Sequence, residues 1–429
     1  MKAAIQTGNG AQTGGGVDRI DYLVTADSYL PHSGGSRVYY ANLYRNLVAQ
    51  YPDRVTLLTK KVPGWKEFDV QESAENFRIR RRFRPLPNWK YQEMPKAVPQ
   101  LLHAATTLLL EKFDCLHCGD LFPQALNGVY LRRLFKVPLL VFCHGDEISQ
   151  IDRRRYQPRV RDFIYHQADA VIAANQFAYD GLTRIGVVQE HIHKLTPGVD
   201  LEHFYPRSPN HDLIEKYGLK DKKVLLTVAR LVPRKGHKVV LQALPKVLRE
   251  TPNVKYLIAG EGPGKNQLQK LVDELGLQQA VVFVGDIPHD QICDFYSLCD
   301  VFIMVNRLEA EGDVESFGMV FTEANAMGKP VIGGKSGGAI EAVLDSKTGF
   351  LVEPDSAEEV ADRLLLLLQN EDLCKRMGTA GLFRVQSEFN WSTRAQMIRK
   401  ISADLVMKAR CRQWLKTAVA QSRNPSISA

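Results

Sequence analysis

The sequence predicts an α/β protein built from two open, mostly parallel sheets in tandem, and three observations carry that prediction. Short apolar runs of strand length alternate with helix-period segments from about Ile20 onward. The alternation pauses in the polar, proline-bearing stretch TPGVDLEHFYPRSP and restarts at KVLLTVARL. Each chemically suggestive cluster falls just after an apolar run. Alternating strands and helices imply parallel sheets covered on both faces, and ligands of such Rossmann-like sheets bind outside the carboxyl ends of the strands. Two such domains facing each other enclose a cleft. A chain of 429 residues is also long for one core. The expected organisation is a leader over 1–16, a first domain over 17–205, a second over 206–385, C-terminal helices over 386–416 and a tail over 417–429.

The elements follow in order. RIDYLVTAD reads as the first strand, Gly34 and Gly35 as a turn, and VYYANLYRNLVAQ as an amphipathic helix. VTLLT, DCLHC, PLLVFCH and AVIAAN continue the first sheet; VLLTVA, VKYLIAG, AVVFVG, VFIMV, PVIGG and GFLVE form the second. From Asp372 to Lys416 the pattern is helical, and SRNPSISA is expected to be disordered. The leader MKAAIQTGNGAQTGGG has neither the apolar core nor the cleavage pattern of a signal peptide. No apolar run reaches bilayer-spanning length. The 7 cysteines are scattered, as in a reducing compartment, and Cys115 and Cys118 read as buried small residues because no second pair follows at zinc-site spacing. A cytoplasmic protein is expected.

The net charge of +8 is concentrated. Arg78, Arg80, Arg81, Arg82 and Arg84 adjoin Phe83, Trp89 and Tyr91, and Arg153, Arg154, Arg155, Arg159 and Arg161 form a second cluster. Cations interleaved with aromatics suit an anionic membrane surface, so the stretch from Arg78 to Tyr91 is expected to place the protein peripherally on the inner face of the plasma membrane. Nucleic acid is not expected, since neither cluster sits in a recognisable nucleic-acid module.

The run EGDVESFGMVFTEANAMGKPVIGG puts Glu315 on a loop and Glu323 on the short helix behind it, with Gly328 and Pro330 ending that helix. Phe317, Gly318, Met319 and Val320 fall at the helix start, where unpaired N–H groups meet anionic or hydroxyl-rich ligands. Carboxylates accept hydrogen bonds only from donors, so two aimed at one place suit a sugar nucleotide. In VARLVPRKGHK, Arg230 and Lys235 offer permanent cations to a diphosphate and to the charge that develops as it leaves. His144 follows an apolar strand at the cleft end, with Asp146 and Glu147 beside it as acceptor-side acids. Gly34 and Gly35 permit close backbone approach before a helix, and KSGGAIE, with Gly337, Gly338 and Glu341, repeats the device. No Asp-x-Asp pair occurs, so no metal site is assigned and metal-independent chemistry is expected.

Together these motifs resemble the family-four retaining glycosyltransferases of GT-B fold, over roughly Ile20 to Arg399. The Gly-Gly turn, the strand-end HG, TPGVDLEHFYP, VARLVPRKG, GEGP, the glutamate pair and SGGAIE occur in that family's order. The EGDVESFG form is most similar to the phosphatidylinositol mannosyltransferase-like branch. The resemblance implies that Arg230 and Lys235 hold the donor diphosphate, Glu323 the ribose, and Glu315 with the amides near Phe317 to Met319 the transferred sugar. It further implies His144 near the reacting carbon, Gly35 against the diphosphate, and a C-terminal helix, FNWSTRAQMIRK, that returns to the first domain. No cofactor is implied beyond the co-substrate, GDP-mannose or a UDP-hexose; the implied acceptor is lipid-linked or a glycan. TPGVD lacks the Asn of the commoner PNGVD form, and Asn175 stands where many members have Ser, outside the expected chemistry. The competing readings are a glycoside phosphorylase or sucrose-synthase-like enzyme on the same scaffold, and a non-catalytic sugar-nucleotide binding protein.

Overall fold

A computed structural model describes residues 17–31, 34–83, 94–149, 158–309 and 313–422. Its first sheet has 7 parallel strands: β1 (Asp21–Thr25), β2 (Arg54–Lys60), β3 (Phe77–Phe83), β4 (Cys115–Cys118), β5 (Leu139–Cys143), β6 (Ala170–Ala173) and β7 (Ile192–Lys194), in the order β3-β2-β1-β4-β5-β6-β7. The second has 6: β8 (Lys223–Val228), β9 (Val254–Ala259), β10 (Val281–Gly285), β11 (Val301–Met304), β12 (Val331–Gly334) and β13 (Gly349–Val352), in the order β10-β9-β8-β11-β12-β13. In each sheet the order reverses beside the first strand, which opens a crevice at the carboxyl ends of β1 and β4 and of β8 and β11.

Both faces of both sheets are covered, which is why the inner strands read as unbroken apolar runs. Tyr22, Tyr40 and Phe142 line one face of the first sheet with Trp391 and Ile398 of the C-terminal helix; Leu23, Leu116 and Val141 line the other beneath Ala104, Leu108 and Val129. In the second sheet, Leu225, Ile258 and Ile303 pack under Val240, Leu244 and Leu364, and Leu226, Leu257 and Phe302 pack with Tyr296, Phe321 and Phe389.

Two strands escape the sequence patterns, and both are edges. β3 is the first arginine cluster itself, FRIRRRF. Phe77 and Arg81 are both buried, with Arg81 held by Asp69 at 2.9 Å and by the Leu30 carbonyl, while Arg80 pairs with Glu111. Arg80 and Arg81 are therefore paired, and Arg81 is internal, unlike the free basic surface the sequence suggests, while Arg78 stays exposed. Arg84, Trp89, Tyr91 and Arg153 to Arg155 lie outside the described residues; Arg159 is exposed, and Arg161 is buried beside Asp162 at 2.7 Å.

The chain passes between the sheets twice, side by side. Leu195 belongs to the first core and Val199 to the second, so the first crossing lies at Thr196 to Gly198, ahead of Pro206. The return runs through Phe389 to Trp391, and the Val199 N–H donates to the Phe389 carbonyl at 2.7 Å. The helix Trp391–Ser422 then lies on the first sheet and extends past Lys416; residues 423–429 are outside the described residues, as is the leader. There Arg399 pairs with the wholly buried Asp53 at 3.0 Å, and Arg394 donates to the Thr196 carbonyl at 2.9 Å.

Candidate active site

The two sheets face each other across a cleft, and the helix starts on its walls meet. The helix Gly35–Gln50 follows the Gly-Gly turn, the helix Met319–Ala326 follows Gly318, and a Cβ on Gly35 would lie 3.9 Å from the Met319 methyl. Each first turn presents N–H groups without intrahelical partners. Gly318 adopts φ 77°, which lets the Glu315 loop turn sharply into that helix. Phe317 is buried against Phe389, so only its backbone can serve a ligand.

Glu315 is held by two cations. Its carboxylate takes hydrogen bonds from Lys235 and from Arg234, the latter at 2.8 Å, and Asp313 lies 3.3 Å from Arg234 on the other side. Burial disfavours its charge, but Lys235 and Arg234 outweigh that and hold the carboxyl below the usual range. The sequence pattern does not single out Arg234, although it adjoins Lys235. Gly236 at φ 70° brings the loop within reach, since a Cβ there would fall 1.7 Å from the Val305 carbonyl oxygen. Arg230 is exposed, and its side chain makes no hydrogen bond or ion pair among the described residues. Its charge reaches Arg37 on the first domain, whose pKa is lowered chiefly by burial, with Asp27 and Asp120 opposing and Arg230 reinforcing the shift.

Glu323 is different. Its carboxylate accepts from the Tyr296 hydroxyl at 2.9 Å and has no cation within ion-pair reach among the described residues, so burial pushes it up to about 7. It can take further donors, such as ligand hydroxyls.

His144 sits at the end of β5 among Tyr39, Tyr40 and Phe142. Tyr40 gives its hydroxyl proton to the Gly119 carbonyl and is hydrogen-bonded to His144 Nε2. With that proton committed, Nε2 must carry the hydrogen, which leaves Nδ1 as the acceptor. Burial lowers the imidazole to about 4, so it is neutral near pH 7. Glu147 is not an acceptor-side acid: its carboxylate turns inward and accepts the His144 and Gly145 N–H groups, both at 3.0 Å. Asp146 is exposed in the cleft and accepts from Ser316 Oγ at 3.0 Å.

SGGAIE packs against the glutamate loop. Gly338 donates to the Glu315 carbonyl at 2.9 Å, and a Cβ on it would fall 1.9 Å from the Ser316 carbonyl oxygen, so this turn is a shelf beneath the glutamate loop. The structure thus gathers Glu315, Lys235, Arg234 and the Met319 helix start on one wall, with Glu323 behind, and His144 and Gly35 on the other. Cys115 and Cys118 are buried free thiols in β4. No helix among the described residues is long and apolar enough to cross a membrane.

Two facing Rossmann-like domains enclosing such a cleft are the GT-B arrangement. Residues 33–203 match the family model described as Glycosyltransferase Family 4, and 210–382 match Glycosyl transferases group 1. A GDP-mannose-dependent alpha-(1-6)-phosphatidylinositol monomannoside mannosyltransferase of Mycobacterium tuberculosis is 30% identical over 379 residues, covering 87% of this chain and 95% of the relative. The Mycolicibacterium smegmatis protein of that name is 29% identical over 382 residues, covering 88% and 97%. Sucrose-phosphate synthase from Thermosynechococcus elongatus superposes with a TM-score of 0.76 at 25% identity over 91% of this chain and all of that one (100%). Anabaena Alr3699/HepE in complex with UDP and glucose superposes at 0.74 and 21% identity over 89% and 99%. The chain belongs to the family-four GT-B glycosyltransferases, in the phosphatidylinositol mannosyltransferase branch.

Proposed function

We propose that the protein is a retaining, metal-independent hexosyltransferase that moves mannose from GDP-mannose, with a UDP-hexose as the second choice of donor, to a lipid-linked or glycan acceptor on the first domain. The observation that carries this reading is the convergence of Glu315, its two cations and the Met319 helix start on one wall with His144 and Gly35 on the other. The named activity of the relatives supports mannose as the sugar.

Each group has a role in that reading. Glu323 accepts the ribose hydroxyls, and the ionised Glu315 accepts hydroxyls of the transferred sugar. Arg230 and Lys235 draw the diphosphate, and their charge favours its departure. Neutral His144 offers Nδ1 to a sugar hydroxyl. The glycosidic C–O bond breaks with its electron pair leaving on the nucleoside diphosphate. The acceptor oxygen bonds the anomeric carbon from the same face, and the departing phosphate oxygen takes the acceptor's proton. No nucleophile from the protein is required.

The acceptor's lipid character gains support from the helix Met94–Leu110, on which Val98, Leu102 and Leu109 recur on one face and are 55%, 59% and 73% exposed. That exposed apolar stripe suits peripheral docking on a membrane surface.

The test is incubation with GDP-mannose, UDP-glucose, UDP-N-acetylglucosamine and ADP-glucose, with and without EDTA, in the presence of phosphatidylinositol mannosides. Release of GDP alone, insensitive to EDTA, and an axial product linkage by NMR are expected. No release from any donor, together with no thermal shift on adding one, would overturn the reading.

A further inference from the structure

Asn175 is 1% exposed, and every polar atom of its amide is engaged. Its Oδ1 accepts the Ala178 N–H at 2.7 Å and so caps the helix Gln176–Arg184. Its Nδ2 donates to two carbonyls on opposite sides of the cleft, that of His144 at 3.0 Å and that of Ser316. We propose that Asn175 is a positioning residue that ties the His144 strand end to the Glu315–Ser316 loop and sets the span across which the sugar is gripped. This rests on reading the cleft as the site of glycosyl transfer.

The chemistry of the side chain makes the case. Ser, Thr, Asp and Asn all cap helices, but only Asn joins the capping acceptor to two N–H donors. Serine has a single hydroxyl proton, and aspartate has none. The Ser316 carbonyl is also a fixed target, because the Gly337–Gly338 shelf lies directly beneath it. Neighbouring contacts close the same seam. Ser316 Oγ donates to Asp146, and Glu341 beyond the shelf accepts the Gln176 N–H at 2.8 Å and pairs with Lys194 at 2.9 Å. One amide therefore links the backbone of the residue after Glu315 to the backbone of His144, and a change in domain spacing must break it.

Asn175→Asp keeps the shape and the cap while turning an acceptor towards both carbonyls; Asn175→Ser keeps the cap with one donor. Asn175→Ser should leave the unfolding temperature and the calorimetric Kd for GDP close to those of the parent, whereas Asn175→Asp, which sets a carboxylate against two carbonyls, should melt lower. The turnover number should fall by about tenfold or more, with a larger radius of gyration by small-angle scattering in the presence of GDP-mannose. A helix cap alone predicts the opposite pattern, unchanged turnover and compactness, and that result overturns the proposal; if Asn175→Asp does not fold, Asn175→Ser decides. Should the parent transfer sugar from no donor, the functional reading fails, and scattering of the two variants with GDP alone still judges the clasp: profiles identical to the parent's reject it.

Discussion

The Tyr40 hydroxyl and His144 Nε2 form one hydrogen bond, and because the tyrosine proton is already given to Gly119, that bond fixes which imidazole nitrogen is protonated. Removing the hydroxyl frees the ring to exchange its tautomers. Tyr40→Phe should lower turnover by about three- to tenfold with donor affinity unchanged, the size expected for one hydrogen bond between neutral groups. Nitrogen-15 spectra of labelled histidine, assigned against His144→Gln, should show the Nε2–H form in the parent and a mixture in the variant. A parent spectrum dominated by Nδ1–H would contradict the assignment.

Glu323 should cost stability at neutral pH. Its folded carboxyl titrates at about 7 because of burial, against an ordinary value of 4.5. Between these values the folded protein keeps a proton that the unfolded chain has lost, so stability declines as pH rises through the window and stays reduced above it. Glu323→Gln should therefore be more stable than the parent at pH 8, by up to roughly 3 kcal/mol, and equal to it at pH 4. Glu323→Ala should weaken GDP binding by about tenfold or more, which calorimetry would read directly.

For Glu315 the sign is reversed. Lys235 and Arg234 hold its pKa down, so the cluster stabilises the fold above the ordinary carboxylate value and the stabilisation fades as pH falls through the lowered one. Lys235→Met should destabilise at pH 7, with the difference shrinking below pH 4 in thermal melts. Under the proposed function, turnover should drop on the order of a hundredfold, because Lys235 then also serves the leaving phosphate.

Arg399→Ala leaves the buried Asp53 with the Ile20 N–H at 2.9 Å and the Tyr22 hydroxyl but no cation. Breaking one side of such a pair costs about 3–5 kcal/mol, and the unfolding temperature should fall accordingly. Proteolysis should then enter near the start of the helix Trp391–Ser422. An unchanged melting curve would show that the helix docks by apolar contacts alone.

The sheets were legible because strands buried on both faces spell apolar runs whatever the tertiary detail. β3 and β7 were not, since an edge strand satisfies only one side and can carry Arg80 and Arg81 or His193 and Lys194. The positions of His144, Gly35 and Glu315 at strand ends and helix starts followed from the motif order. What no local pattern conveys is the partner: Arg234 is unmarked beside Lys235, Glu147 looks like Asp146, and Asn175 falls outside the expected chemistry. The roles of Arg234 and Asn175 depend on carboxylates and carbonyls that lie far along the chain, and that of Glu147 on which way its carboxylate turns.

The side-by-side crossings at Thr196 to Gly198 and Phe389 to Trp391 make the second domain an insertion within the first, and this governs the order of assembly during synthesis. Asp53 emerges from the ribosome 346 residues before Arg399. The second sheet is complete while the first still lacks the helix that covers Tyr22 and Phe142. The nascent first domain must therefore wait with that face covered only by the helix Gly35–Gln50, and the half of the protein translated later is the first able to finish folding.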